Sequence, residues 1–183
     1  EGVSGDTVIL PFNDLNGVRD RIKEEDLACI ILEPIMGACG FITPENDFLK
    51  GLRELCDEKD ILLVLDEIIT GFRFQGGAQK FYNVKPDLTT LGKIVGGQYF
   101  PAGAFCGRAD IMEKIDQIKH PNFYERSFHG GTYTGNPLVA RAGYTLLRDL
   151  ERRGGEIYPY LSRLGKRVRD ELVEIFEGKR VQA

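Results

Sequence analysis

Ile61-Leu-Leu-Val-Leu-Asp-Glu67 decides the fold. An apolar run of this length, closed by two carboxylates, reads as a strand buried on both faces. Such a strand delivers Asp66 to the carboxyl edge of its sheet, where α/β proteins bind ligands. Lys93 follows 27 residues after Asp66, in Leu91-Gly-Lys-Ile-Val-Gly-Gly97. The glycines allow a tight turn. Leu91, Ile94 and Val95 predict an apolar, buried setting for the amine, the setting in which a lysine becomes a useful nucleophile.

The pattern around this stretch repeats strand and helix. Thr7-Val-Ile-Leu10 reads as a short strand stopped by Pro11. Asn13 or Asp14 can cap a helix to about Lys23, with Leu15, Val18 and Ile22 on one face. Leu27 to Glu33 reads as a buried strand closed by Pro34. Phe48, Leu49, Leu52 and Leu55 keep helical spacing, with Thr43-Pro44 as cap and first turn. Further on, a short helix is expected over 77–84, strands at 88–91 and 102–106, and a helix over 109–118. Asn136-Pro137 opens a helix, and a strongly amphipathic one is expected over about 156–177, its stripe being Ile157, Leu161, Leu164, Val168, Leu172 and Ile175. Alternating strands and helices imply βαβ units, a mostly parallel sheet and right-handed crossovers. Asp66 and the loop after Glu33 then share one sheet edge. Gly154-Gly155 is the expected boundary. It divides residues 1–153, the body of an α/β domain, from 154–183, a helix leading into a second domain.

Composition narrows the function. The 183 residues are 42% hydrophobic and 28% charged, which suits a globular chain with a real core. A net charge of -4 with no basic block gives nucleic acid no footprint, and no run of about 18 apolar residues predicts a membrane span. Cys29, Cys39, Cys56 and Cys106 lie in or beside apolar elements without CxxC spacing, so they read as reduced core thiols of a cytoplasmic protein. Two histidines, His120 and His129, make a zinc site an unpromising reading. The first methionine is Met36, and the chain reads as the central part of a longer one.

Asp66-Glu67 could be a magnesium-binding acid pair, but the GxxxxGK[ST] loop that reading needs is absent. So are the GxSxG nucleophile elbow and the GxGxxG dinucleotide fingerprint. A strand-end acid that caps a turn remains the plain alternative. A second acidic role is available: a carboxylate can pair with a protonated ring nitrogen while an amine forms a Schiff base. That is pyridoxal phosphate chemistry, with Asp66 and Lys93 as the pair. Gly130-Gly-Thr-Tyr-Thr-Gly-Asn-Pro137 offers backbone N–H groups, two threonine hydroxyls and a helix N-terminus, which suit a phosphate. Arg73 is a candidate for a substrate carboxylate, or an ordinary surface arginine.

Glu33-Pro34, Leu65-Asp-Glu-Ile-Ile-Thr-Gly-Phe-Arg73, Pro86-Asp-Leu-Thr-Thr-Leu-Gly-Lys93 and Gly131-Thr-Tyr-Thr-Gly-Asn-Pro137 stand in the order found in class III pyridoxal-phosphate aminotransferases. The chain resembles that family over nearly its whole length. Thr70-Gly-Phe-Arg73 and Gly76-Gly-Ala-Gln79 are similar to the glutamate-1-semialdehyde 2,1-aminomutase subgroup. The resemblance implies the aspartate-aminotransferase type of fold (fold type I), with this chain as part of the large domain. It implies pyridoxal 5'-phosphate as cofactor, Lys93 as the Schiff-base lysine, Asp66 on the ring nitrogen, and Glu33 as an active-site acid. It implies that Thr132, beside Gly131, reaches the phosphate of the neighbouring subunit's cofactor in a homodimer. The implied substrate is an amino acid or amino aldehyde. In the aminomutase that substrate is glutamate-1-semialdehyde, and 5-aminolevulinate for tetrapyrrole synthesis is the product.

Departures keep two alternatives open. His129-Gly-Gly-Thr-Tyr-Thr-Gly135 resembles aminomutase-like transaminases of varied specificity, so a transaminase or racemase on another amino acid stands beside the aminomutase. Ala38 and Ile69 stand where ornithine-type enzymes carry a gating glutamate and a cofactor-contacting glutamine, which disfavours that subgroup. The resemblance places a phosphate loop before Glu1, so a fragment that keeps the fold without holding cofactor is the non-enzyme alternative.

Overall fold

The computed structural model describes residues 4–177. Among the described residues the α-helices and β-strands follow one another as α1 (Leu15–Glu24), β1 (Cys29–Leu32), α2 (Phe48–Lys59), β2 (Leu62–Asp66), α3 (Gly77–Phe81), β3 (Leu88–Leu91), β4 (Ala104–Gly107), α4 (Ala109–Met112) and α5 (Pro137–Phe176). The strands form one sheet in the order β1-β2-β3-β4. β1, β2 and β3 are parallel, and β4 returns antiparallel to β3. This is the expected α/β architecture with a mostly parallel sheet.

Register decides what meets at the carboxyl edge. Leu32 lies opposite Leu65, and Asp66 lies opposite Thr90. Glu33, Asp66 and the turn after Leu91 therefore leave the sheet side by side.

The core lies on one face of the sheet. Val18 of α1 and Phe48, Leu49, Leu52, Leu55 and Cys56 of α2 close over Ile61 and Leu63. Leu52 and Leu63 are almost fully buried, and each such side chain contributes roughly 2 kcal/mol by leaving water. Gly51 is required where α1 meets α2, because a Cβ there would sit 2.3 Å from the Leu15 side chain. β2 is buried on both faces, as its continuous apolar run requires. β1 differs from the expectation of full burial. Ile30 and Leu32 pack on the core, while Ile31 on the opposite face is 62% exposed.

At the amino edge of the sheet Asp87 joins three elements. Its Oδ2 accepts from Arg53 Nη1 and from the Leu63 N–H, both at 2.8 Å, and its Oδ1 accepts from Arg108 Nη1 at 2.8 Å. Burial opposes ionisation of this carboxyl, but the two guanidiniums and the backbone donor outweigh it and hold its pKa below the usual carboxylate value.

Several local expectations give way. Residues 7–10 form no strand, and Ile9 is 90% exposed. The cap of α2 is Asp47 in a left-handed conformation, not Thr43-Pro44. The helix expected over 109–118 is α4 followed by a single 3-10 turn over Glu113–Ile115. It stops because Asp116 Oδ1 accepts from the Ile118 and Lys119 N–H groups, a local turn that competes with helix. Cys56 alone among the cysteines is buried, and burial pushes its thiol up to about 11. Cys29, Cys39 and Cys106 are exposed and unpaired rather than core.

α5 runs unbroken from Pro137 to Phe176, through Gly154-Gly155. The apolar stripe of its second half has no cover among the described residues: Leu164, Val168 and Ile175 are 44%, 51% and 55% exposed. The last residues of the 154–183 segment, 178–183, lie outside the described residues, and its assignment to a second domain stands as a proposal.

Candidate active site

Asp66 closes β2, and its carboxylate is fixed by two donors on Oδ1. Thr90 Oγ1, its neighbour across the strand pair, donates at 3.0 Å, and the Ile68 N–H donates at 3.0 Å. Oδ2 has no hydrogen-bond partner among the described residues. One oxygen is held and the other is left to bind something. Thr90 went unnoticed in the sequence as a site residue. Its role comes from the strand register, which sets it opposite Asp66.

The second acid does structural work. Glu67 is fully buried, and its carboxylate accepts from Thr70 Oγ1 at 3.0 Å and from the Ala78 and Gln79 N–H groups. It ties the β2 exit to the first turn of α3. Gly77 is obligatory there, with φ +76° and room for no side chain: a Cβ would lie 2.6 Å from Glu67 Oε1. The turn-capping alternative describes the whole Glu67 carboxylate and Oδ1 of Asp66, while Oδ2 of Asp66 is left available.

Glu33 follows β1. Its Oε2 accepts from the Gly37 N–H at 3.1 Å. Ile69 packs across the same loop, so close that a Cβ on Gly37 would lie 2.4 Å from Ile69 Cδ1. The turn after β2 thus holds Asp66 through the Ile68 N–H and sets the Ile69 side chain against Gly37, the residue that donates to Glu33.

Lys93 begins a 3-10 turn, Lys93–Gly96, directly after β3 and Gly92. It departs from the sequence expectation in one respect: it is exposed, not buried in its apolar neighbours. Its amine has no ion pair or hydrogen bond among the described residues. Its φ of +51° is left-handed, which costs a non-glycine residue about 1 kcal/mol or more. Strain of this kind persists only where surroundings hold it. Gly92 rests on Ile68 (3.1 Å from a Cβ position to Ile68 Cγ2), and the turn docks on α5.

Gly131 and Thr132 lie in the exposed turn that opens α5. The Thr134 N–H donates to Gly131 O at 3.0 Å, and Asn136 Oδ1 caps the helix by accepting from the Leu138 and Val139 N–H groups. His129 stacks edge-on against Phe105 of β4 at 5.2 Å. No hydrogen bond among the described residues joins this turn to Asp66, Glu33 or Lys93. Arg73 is exposed and its guanidinium carries no ion pair among the described residues. The structure brings Glu33, Asp66 and Lys93 to one edge and leaves Gly131, Thr132 and Arg73 on open surface.

With this geometry in hand, the family described as aminotransferase class-III matches residues 4–182. The chain belongs to the class III aminotransferases. Glutamate-1-semialdehyde 2,1-aminomutase of Methanocaldococcus jannaschii is 41% identical over 186 residues, covering 100% of this chain and 41% of that protein. The protein of the same name from Methanothermobacter thermautotrophicus is 46% identical over 172 residues, covering 92% of this chain and 39% of its own length. Among solved structures, an omega-transaminase from Sphaerobacter thermophilus superposes with a TM-score of 0.72 at 39% identity, over 78% of this chain and 32% of that one. An ornithine aminotransferase from Toxoplasma gondii, described with partial occupancy of PLP at its active site, gives 0.81 at 30% identity, over 94% and 38%. This class III chain spans about two-fifths of the length of the curated relatives it matches. The fold is that of the class III aminotransferases, as the four ordered motifs implied. Backbone similarity extends to ornithine-type enzymes, whereas identity is higher with the aminomutases. Fold alone therefore does not choose the substrate.

Proposed function

We propose that the whole protein is a pyridoxal-phosphate enzyme of the aminomutase type, converting glutamate-1-semialdehyde to 5-aminolevulinate for tetrapyrrole synthesis. The carrying observation is the pairing at one sheet edge of Asp66, with a free Oδ2, and Lys93, with a free amine. A carboxylate and an unpaired primary amine are the donor set for the ring nitrogen and the aldehyde of pyridoxal phosphate, so the residues present fit that end of the cofactor. When bound, the cofactor supplies an electron sink for the bonds at the substrate's amine-bearing carbon.

The chain's own residues divide the work. Lys93 Nζ would hold the cofactor through its aldehyde, and as a free amine would serve as the base that moves protons at the substrate. Asp66 would hold the protonated ring nitrogen, and Thr90 and the Ile68 N–H orient Asp66 for that role. Glu33 stands at the neighbouring strand end as an acid facing the same edge. The identity to aminomutases supports the substrate. Ala38 and Ile69 support it further, by standing where ornithine-type enzymes carry other groups. A transaminase on another amino acid is the second reading, favoured by the Gly130-Gly-Thr-Tyr-Thr-Gly135 sequence.

A homodimer is part of the proposal, with Gly131 and Thr132 serving the cofactor phosphate of the partner. Their exposure and their place before the N-terminus of α5 support this role. If each site takes Lys93 from one subunit and Thr132 from the other, mixing Lys93→Ala with Thr132→Ala protein restores activity that neither has alone. We also place the enzyme in the cytoplasm, where the exposed thiols Cys29, Cys39 and Cys106 stay reduced.

Incubating the whole protein with glutamate-1-semialdehyde and no keto acid tests the reading. Formation of 5-aminolevulinate is expected. Turnover that appears only with an added keto acid would replace the aminomutase with the transaminase.

A further inference from the structure

The lysine turn is seated on a helix that carries none of the chemistry. Val95 lies two residues after Lys93, and its carbonyl oxygen would be 2.4 Å from a Cβ on Gly143 of α5. Gly97, with φ +72°, closes the same turn, and its Cβ position lies 3.1 Å from Ala142 Cβ and 3.2 Å from Ala142 O. Gly143 is buried, one of two buried residues in the 40-residue helix. The atom that meets it is backbone, which cannot swing aside as a side-chain end can. On the opposite side Gly92 rests against Ile68, whose N–H donates to Asp66. The turn is thus gripped between the Asp66 loop and one helical glycine, and within that grip Lys93 holds its left-handed φ of +51°.

We propose that Gly143 is a positioning residue for Lys93: its missing side chain sets how closely the lysine turn seats on α5, and so where the Lys93 amine stands relative to Asp66. This rests on the reading of Lys93 as the residue that links the cofactor. A methyl group at residue 143 must move the Val95 carbonyl, and Lys93 moves with it. Displacement on the scale of 1 Å is enough to change a reaction rate by about a hundredfold.

Gly155 provides the control. It lies in the same helix, and a Cβ there meets nothing within 4 Å. Gly143→Ala and Gly155→Ala both raise helix propensity, so helix stability does not separate them. Two ligands do. Pyridoxal phosphate forms a bond to Lys93, trapped by borohydride and counted by peptide mass spectrometry. Pyridoxamine phosphate has no aldehyde, so its affinity reports the pocket without the lysine.

In the whole protein, Gly143→Ala should slow linkage to Lys93 by about tenfold or more while pyridoxamine phosphate binds within about twofold of wild type. Gly155→Ala should match wild type in both. Linkage at the wild-type rate in Gly143→Ala would overturn the proposal, and so would an equal loss of both ligands, which marks a general structural defect. If Gly143→Ala does not fold, Ala142→Gly removes the methyl against which Gly97 rests. Slower linkage with unchanged pyridoxamine phosphate binding then supports the role, and unchanged linkage overturns it. Absence of any Lys93 label in the wild type is a separate result: it removes the cofactor reading itself, and this proposal with it.

Discussion

At the scale of single residues, the site is a division of labour between adjacent acids. Asp66 and Glu67 are neighbours in sequence but face opposite ways from the end of β2. Glu67 is consumed by three donors, while Asp66 keeps one oxygen free. Exchanging each for its amide should separate the roles. Asp66→Asn leaves packing intact and lowers turnover of the whole protein by about a hundredfold or more in a steady-state assay. Thr90→Val removes one orienting bond and costs about tenfold. Glu67→Gln sets an amide N–H2 against backbone donors and lowers unfolding free energy by about 2 kcal/mol, read from the urea midpoint. Asp66 and Lys93 were legible in the sequence because each ends or follows an apolar run. Thr90 and Gly143 were not, because their importance arises from register and from contact between Val95 and Gly143, residues far apart in sequence.

At the scale of elements, what could be read depended on whether an element carries its own partner. β2 was legible almost to the residue and α2 in its buried face though not its start, since their apolar patterns describe the faces they bury. Thr7 to Leu10 has strand composition, but a strand exists only within a sheet, and the described sheet consists of β1 to β4. The break expected in α5 was read from Gly154-Gly155. Those glycines cost the helix about 1 kcal/mol each and Pro159 costs more, yet the helix runs through all three. The sheet's amino edge depends on Asp87. Its pKa is held below the ordinary value, so its stabilisation is complete above about pH 4 and is lost as pH falls through the lowered folded value. Asp87→Asn should therefore cost about 3 kcal/mol near neutral pH, with Arg53 left facing a neutral partner, and the gap to wild type should close in acid. Urea titrations at neutral pH and below pH 4 check both parts.

At the scale of the whole molecule, the described residues show a half-covered protein. α1 and α2 close one face of the sheet, while Ile31 on the other face and the Leu164, Val168, Leu172 and Ile175 stripe of α5 face outward. Apolar surface of that extent calls for cover. The 183-residue chain produced alone should self-associate at micromolar concentration, and Leu164→Asp with Val168→Asp should shift it toward monomer in sedimentation velocity. Cofactor linkage is the claim on which everything else depends. The most direct measurement is to saturate the whole protein with pyridoxal phosphate, reduce it with borohydride, digest it and map the modified peptide by mass spectrometry. A single pyridoxyl group on Lys93, absent from Lys93→Ala, is the expected result. A modified lysine elsewhere, or none at all, would contradict the assignment of Lys93 and Asp66 as the catalytic pair.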